Sequence, residues 1–295
     1  MTATFRQLLN GLQIGSIYAL VSLGYTMVYG IAKLINFAHG DIIMVGSYTA
    51  LFFIPVLNSL GLPLWLSLIP AIIICVFLGM LAEHVAYRPL RNSPRISNLI
   101  TAIGVSLLLE NGAMLLFGTQ SKPFPGIFAF DHIQTGGLSV NMSTLVTILV
   151  TLVLTLCLQV FMKKTKFGKA MLAVSEDYGA AKLVGISVDK TIALTFAIGS
   201  ALAAIGSILY LSAYPQVFPM MGSMLGIKAF IAAVLGGIGS IPGAVLGGFM
   251  LGIAEVFTRV YISSQLGDAV VFGILVLVLL FRPAGLLGRM QREKV

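Results

Sequence analysis

Charge is what this sequence has least of. Only 9% of its 295 residues are Asp, Glu, Lys or Arg, against 58% hydrophobic, and the mean hydropathy is +1.01. So few charges cannot cover so much apolar surface, which excludes a water-soluble globular domain and puts the chain in a bilayer among lipids. Cysteine is nearly absent as well. Cys75 and Cys157 each sit inside an apolar run, so nothing suggests a disulfide framework, a metal site or a thiol nucleophile, and no catalytic or metal-ligating residue is expected. The basic excess, 18 Lys and Arg over 10 Asp and Glu, lies in short clusters between apolar runs, which is membrane topology rather than a nucleic-acid groove.

What is present is a series of long apolar runs. A spanning helix needs about 20 such residues. Candidates fall at 8–31, 38–57, 62–82, 98–118, 144–162, 191–212, 226–257 and 268–282; the first carries no small-residue cleavage site and reads as a retained span. The run 226–257 is too long for one helix, and Gly236, Gly237, Gly239 and Pro242 divide it into 226–237 and 243–258. The expectation is one all-α, polytopic domain over 1–295, with eight or nine spans and interruptions near 35–41 and 234–248.

Fourteen of the 18 cationic residues fall on connections of one side: Lys33, the arginines at 88, 91 and 95, six lysines between 163 and 190, and Arg282, Arg289, Arg292 and Lys294. By the positive-inside bias that side is cytoplasmic, leaving Arg6, Lys122, Lys228 and Arg259 outside. Nine spans then put the N-terminus outside and the C-terminus inside. The longest outer connection, 119–143, suits either a lid or docking surface or a plain loop.

Ionisable groups inside spans are costly and become functional candidates. Glu110, beside Asn111, either lines a path or hydrogen-bonds a neighbouring helix. Glu255 stands one turn before Arg259, the favourable order for an ion pair. In INFAHGD (35–41), Asn36 can cap a helix and Gly40 relax its first turn, while His39 and Asp41 add polarity between two hydrocarbon runs. This is either a tight cytoplasmic turn or an interrupted helix lining a translocation path. The second interruption, at Gly236, Gly237 and Gly239, favours transport, because paired interruptions point to a central site.

The inner connection 163–190 reads as a short amphipathic helix in its middle. Ser175 caps it, Glu176 and Asp177 complement its positive end, Gly185 stops it, and Tyr178, Ala181 and Val184 share a face. It either lies on the membrane surface or, given the small Ala180 and Ala181, enters a cleft of a soluble partner.

Five stretches in order carry a resemblance: GYTMVYGIAKLINFAHGD (24–41), EHVAYRP (83–89), GAAKLVG (179–185), GISVDKTIALTFAIGSALAAIGSIL (185–209) and KAFIAAVLGGIGSIPGAVLGGFMLGIAE (228–255). Together they resemble the LivH-type permease subunits of bacterial branched-chain amino acid ABC importers, across nearly the whole chain. GAAKLVG keeps the spacing of the Glu-Ala-Ala-x-x-x-Gly coupling loop of such permeases, with Gly179 in the place of Glu. The resemblance implies a multi-pass inner-membrane protein that is not itself an enzyme. It implies a second, LivM-type permease, two LivG- and LivF-type ATPases that bind ATP and Mg, and an extracytoplasmic binding protein delivering leucine, isoleucine or valine. The chain has no G-x-x-x-x-G-K-[ST] loop, which agrees with ATP hydrolysis elsewhere and with no cofactor of its own. The coupling contact then falls on 175–185. The rival class is an ion-gradient-driven secondary transporter, which would not need that inner helix; relatives of the same ABC type carry urea or short amides.

Overall fold

The computed structural model describes residues 2–91, 93–127, 133–135 and 138–288. Among the described residues eleven α-helices follow one another: α1 Thr2–Ala32, α2 His39–Ser59, α3 Leu68–Ala82, α4 Arg95–Phe117, α5 Met142–Lys164, α6 Lys166–Glu176, α7 Tyr178–Leu183, α8 Val188–Ala213, α9 Met221–Gly236, α10 Ile241–Tyr261 and α11 Leu266–Phe281. A π-helical turn, Glu83–Tyr87, extends α3. Seven of the helices are long and apolar enough to cross a membrane, and α9 and α11 are shorter apolar helices of 16 residues. At 1.5 Å per residue these two reach about 24 Å, less than a bilayer core of about 30 Å.

One end of the bundle carries α6, α7 and most of the lysines. The other carries a two-stranded antiparallel sheet that pairs β1 (Lys122–Pro123) with β4 (Gln216–Val217), tying the α4–α5 connection to the α8–α9 connection. A second hairpin, β2 (Ile133–Thr135) with β3 (Leu138–Val140), lies in the same α4–α5 connection. The chain starts at the sheet end, where Tyr261 donates to Thr4, and 284–288 pack against Gly237 at the basic end. The tail residues Arg289, Arg292 and Lys294 lie outside the described residues, as do 128–132 of the sheet-end connection.

The core is set by backbone proximity. A Cβ on Gly15 of α1 would stand 2.8 Å from Phe249 Cα of α10, and one on Gly11 2.9 Å from Ile253 Cα. With Gly248 and Gly252 on the other side, this is small-residue packing that works where lipid offers helices no hydrophobic drive to associate. Ser22 of α1 also donates to the Ala244 carbonyl of α10 at 3.1 Å. The apolar windows of α1 and α8 are 83% and 72% buried within the chain, but those of α3, α4 and α5 only 22%, 17% and 28%. The chain therefore has an inner layer of α1, α2, α8, α9 and α10 and an open outer layer. Thr144, Thr147, Thr151 and Thr155 form the buried stripe of α5 against α1, where Gln13 bonds Thr144 at 2.8 Å.

The glycines and Pro242 break the seventh apolar run as its sequence predicts, and the break is a hairpin. α9 ends at Gly236, Gly237 and Gly239 take φ of 102° and 95°, and α10 returns antiparallel with Gly243 against Gly236. Only glycine adopts such φ without strain. The break near 35–41 is different. His39 opens α2 with its ring filling the space a Cβ would occupy on Gly24, eight residues before the end of α1. Eight residues are about 12 Å of helix, so the segment 33–38 climbs back into the bundle before α2 begins.

Candidate functional site

The INFAHGD side chains are interior. Asn36, His39 and Asp41 are 3%, 1% and 1% exposed. Each polar partner comes from a distant element. Tyr87 donates to Asn36 Oδ1 at 2.6 Å, and Ser106 of α4 donates to Asp41 Oδ2 at 2.5 Å. Asn36 therefore does not cap α2 with its side chain as expected; Ala38 holds the cap position without a side-chain bond. Gly40 also has another task. A Cβ there would meet the Gly222 carbonyl and come within 2.9 Å of Gly226 Cα, so its lack of a side chain lets α2 cross α9, not merely relax a first turn.

Glu110, 7% exposed, joins this cluster and accepts from Ser223 of α9. Asn111 does not. It is exposed on the outer layer and donates to the Leu107 carbonyl of its own helix at 2.7 Å. Asp41 Oδ1 and His39 Nε2 are buried without a well-formed hydrogen bond, Asp41 facing the Glu110 carboxylate and His39 the Val21 backbone. Poorly paired buried polar atoms of this kind cost free energy and commonly mark a site.

Sequence reasoning missed the aromatic shell. Tyr25 meets His39 edge-on at 4.8 Å between ring centroids, Phe230 lies 5.9 Å from Tyr25, and Phe37 lies 5.9 Å from Phe230. Beneath it, Tyr25, Tyr29, Leu34, Ile35, Phe230 and Ile238 line a small crevice. Here the two interruptions meet, since Ile35 of the first and Ile238 of the second line the same crevice, and a Cβ on Gly30 of α1 would stand 3.3 Å from Gly239 Cα. Gly239 thus sits at the basic-end mouth of the site, while Gly236 packs against Gly243 and Gly237 against Gly288, away from the crevice lining.

The connection 163–190 contains two helices rather than one. Ser175 is inside α6 and donates to the Leu172 carbonyl, and Glu176 ends that helix, so neither serves the start of the next. Asp177 caps α7, accepting from the Gly179 and Ala180 amides at 2.6 and 3.0 Å. Thr165 caps α6, a signal available in TKFGKAM that the single-helix reading passed over. Gly185, at φ 82°, ends α7 as expected.

Ala181 packs inward and Tyr178 is half-buried, but Val184 is exposed and does not share their face. Gly179, Ala180, Lys182, Leu183 and Val184 make the outer surface, with Leu183 90% exposed. Tyr178 Oη donates to the Ile31 carbonyl at 3.2 Å. Burial raises the Tyr178 phenol above its ordinary value, against a smaller lowering by Arg91, so it stays protonated as a donor at neutral pH.

Glu255 and Arg259 pair at 2.7 Å as their spacing predicts. They belong to a larger neutral network that sequence reasoning did not find. Lys228 reaches Glu255 and Asp268, each at 2.7 Å, and Tyr18 donates to Glu255 at 2.6 Å. Lys228 is therefore an interior partner of two carboxylates instead of an outer-connection charge.

Residues 7–279 match the family described as branched-chain amino acid transport system / permease component. The chain is 46% identical to the high-affinity branched-chain amino acid transport system permease protein BraD of Pseudomonas aeruginosa, covering 98% of this chain and 97% of that one. It is 44% identical, with the same coverage, to the permease protein LivH of Escherichia coli K12. A probable LivH permease of Methanocaldococcus jannaschii is 29% identical over 92% of this chain and 89% of its own. The polar breaks, the crossing helices and the capped helix at the basic end are thus features of a chain that belongs to the branched-chain amino acid permease family.

Proposed function

We propose that this chain is one membrane subunit of an ATP-binding-cassette importer that moves leucine, isoleucine and valine into the cytoplasm. A LivM-type second permease completes the pathway, two LivG- and LivF-type ATPases carry the ATP and Mg chemistry, and an extracytoplasmic binding protein supplies substrate. The basic end faces the cytoplasm of a bacterial inner membrane, with the C-terminus inside and the N-terminus outside. The substrate path runs past Asn36, His39, Gly40, Asp41 and Glu110 toward the crevice beside Gly239. A zwitterion passing there needs transient polar contacts for both charges, and buried groups with unfilled hydrogen-bonding capacity offer them.

The observation that carries the reading is α7. Its inner face is fixed by Ala181 and Tyr178, while Leu183 and Val184 project at the basic end beyond the apolar spans. An apolar pair held out on a rigid, capped helix supports docking into a cleft of a soluble ATPase. The test is Leu183→Asp, because Ala181 is packed inside this chain and a charge there would damage the fold itself. The variant is expected to insert normally and to lose ATPase co-purification and uptake. Wild-type uptake would mean that α7 only rests on the membrane surface.

A further inference from the structure

Both ends of α7 lead to one short segment, 33–38, one route arriving at Ile31 just before it and the other at Asn36 within it. From the first residue of α7, the Tyr178 hydroxyl holds the Ile31 carbonyl, one of the last carbonyls of α1, which no helical amide can reach. From its far end, the chain passes directly into α8, whose Asp189 binds Arg88 and, at 2.5 Å, Arg91. Arg91 also holds Glu83 at 2.6 Å, and one turn beyond Glu83 stands Tyr87, which donates to Asn36.

Between the two arrival points lies Lys33, the single non-glycine residue with positive φ among the described residues, at 56°. A left-handed lysine between a helix end and an irregular segment is a place where a small rotation redirects the chain. The π-helical turn carrying Glu83 and Tyr87 is a second irregularity, of a kind frequent at functional sites. Glu83 is 2% exposed and Tyr87 1%, so this second route starts at the half-exposed Asp189 and continues through the interior, where packed contacts transmit displacement.

We infer that Tyr178 and Tyr87 are positioning residues that transmit movement of α7 to the buried start of α2, and so set the placement of His39 and Asp41. This rests on α7 being the ATPase-contacting helix. The first link moves the last turn of α1 about Lys33. The second fixes Asn36 against the turn that follows α3. When α7 shifts, the two anchors of 33–38 are displaced relative to each other, and the segment that climbs into the bundle must change its path. Two discrete arrangements of such an element are what a gate requires.

The test uses the full complex of both permeases, both ATPases and the binding protein in proteoliposomes, comparing Tyr178→Phe, Tyr87→Phe and the double variant. Phenylalanine keeps the ring and removes only the donated hydrogen. Substrate moved per ATP hydrolysed is expected to fall about threefold or more in each single variant, with the double variant no worse than the poorer single one. In a complex carrying Ile35→Cys with Cys75→Ala and Cys157→Ala, which leaves both links intact, the change in thiol labelling on adding a non-hydrolysable ATP analogue should be lost with Tyr178→Phe. Unchanged coupling ratios, additive losses, or a fall in assembled complex matching the fall in uptake would each overturn the inference, the last by showing a packing role. Failure of the ATPases to associate with the wild-type chain would instead overturn the assignment of α7.

Discussion

Lys228 Nζ lies 2.7 Å from Glu255 Oε1 in the interior of the helix bundle, and the same ammonium is 2.7 Å from Asp268. The pair joins α9 to α10, and Asp268 brings in α11. Removing Lys228 leaves Glu255 and Asp268 sharing Arg259 alone, with one negative charge in excess, which costs part of the about 3–5 kcal/mol of a fully stranded buried partner. Lys228→Met is therefore expected to lower the melting temperature and the yield of folded protein in detergent. Adding Asp268→Asn, which leaves Glu255 paired with Arg259, should recover much of the loss. A double variant as unstable as the single would show that the lysine acts through packing of its stem.

Gly40 and Gly104 should respond to alanine with opposite signs. The new methyl at Gly40 meets the backbone of Gly222 and Gly226, and overpacking of this kind costs about 1–3 kcal/mol. At Gly104 nothing lies within 4 Å, and the better helix propensity of alanine is worth up to about 1 kcal/mol. Thermal melting of the two purified variants decides this, and equal shifts would remove α2–α9 proximity as the cause.

Much of the first-order architecture was legible in the sequence, because hydrocarbon imposes long apolar runs and glycines with Pro242 mark where they stop. The site was legible only in part. INFAHGD announces polarity, but whether it is solvated depends on Tyr87 and Ser106, which lie 51 and 65 residues from the side chains they bond and leave no local trace. The two-helix form of 163–190 was hidden by competing caps: Ser175 and Asp177 have similar capping strength, and only the packing of Met171 and Val174 decides that α6 runs past the serine. Lys228 looked like an outer charge because its two carboxylate partners belong to other helices.

Glu110→Gln should leave the assembled amount of complex near wild type while uptake falls severalfold, since Ser223 can still donate to the amide oxygen but the charge is gone. Ser106→Ala should instead destabilise by about 1–3 kcal/mol, because Asp41 then loses its hydroxyl donor. Uptake per assembled complex, measured beside melting temperature, separates the two. A parallel fall of assembly and uptake for Glu110→Gln would assign the carboxylate to packing.

Orientation is checked with single cysteines in a background carrying Cys75→Ala and Cys157→Ala. Ser121, exposed beside the sheet, and Ser187, exposed after α7, lie at opposite ends of the bundle. Ser121→Cys should react with a membrane-impermeant thiol reagent in spheroplasts, and Ser187→Cys only after the membrane is permeabilised. The reverse pattern would invert the assignment of the basic end.

The contrast between the inner and outer layers has an evolutionary consequence. Where Gly11, Gly15, Gly248 and Gly252 bring two backbones together, almost any replacement is a collision, so that seam is frozen. On α3 and α4, most of whose apolar surface this chain leaves uncovered, one aliphatic side chain serves as well as another unless a neighbouring subunit reads it. Substitutions should therefore accumulate on the outer helices as lineages separate, and any outer position that resists drift marks where another protein, not lipid, lies against it.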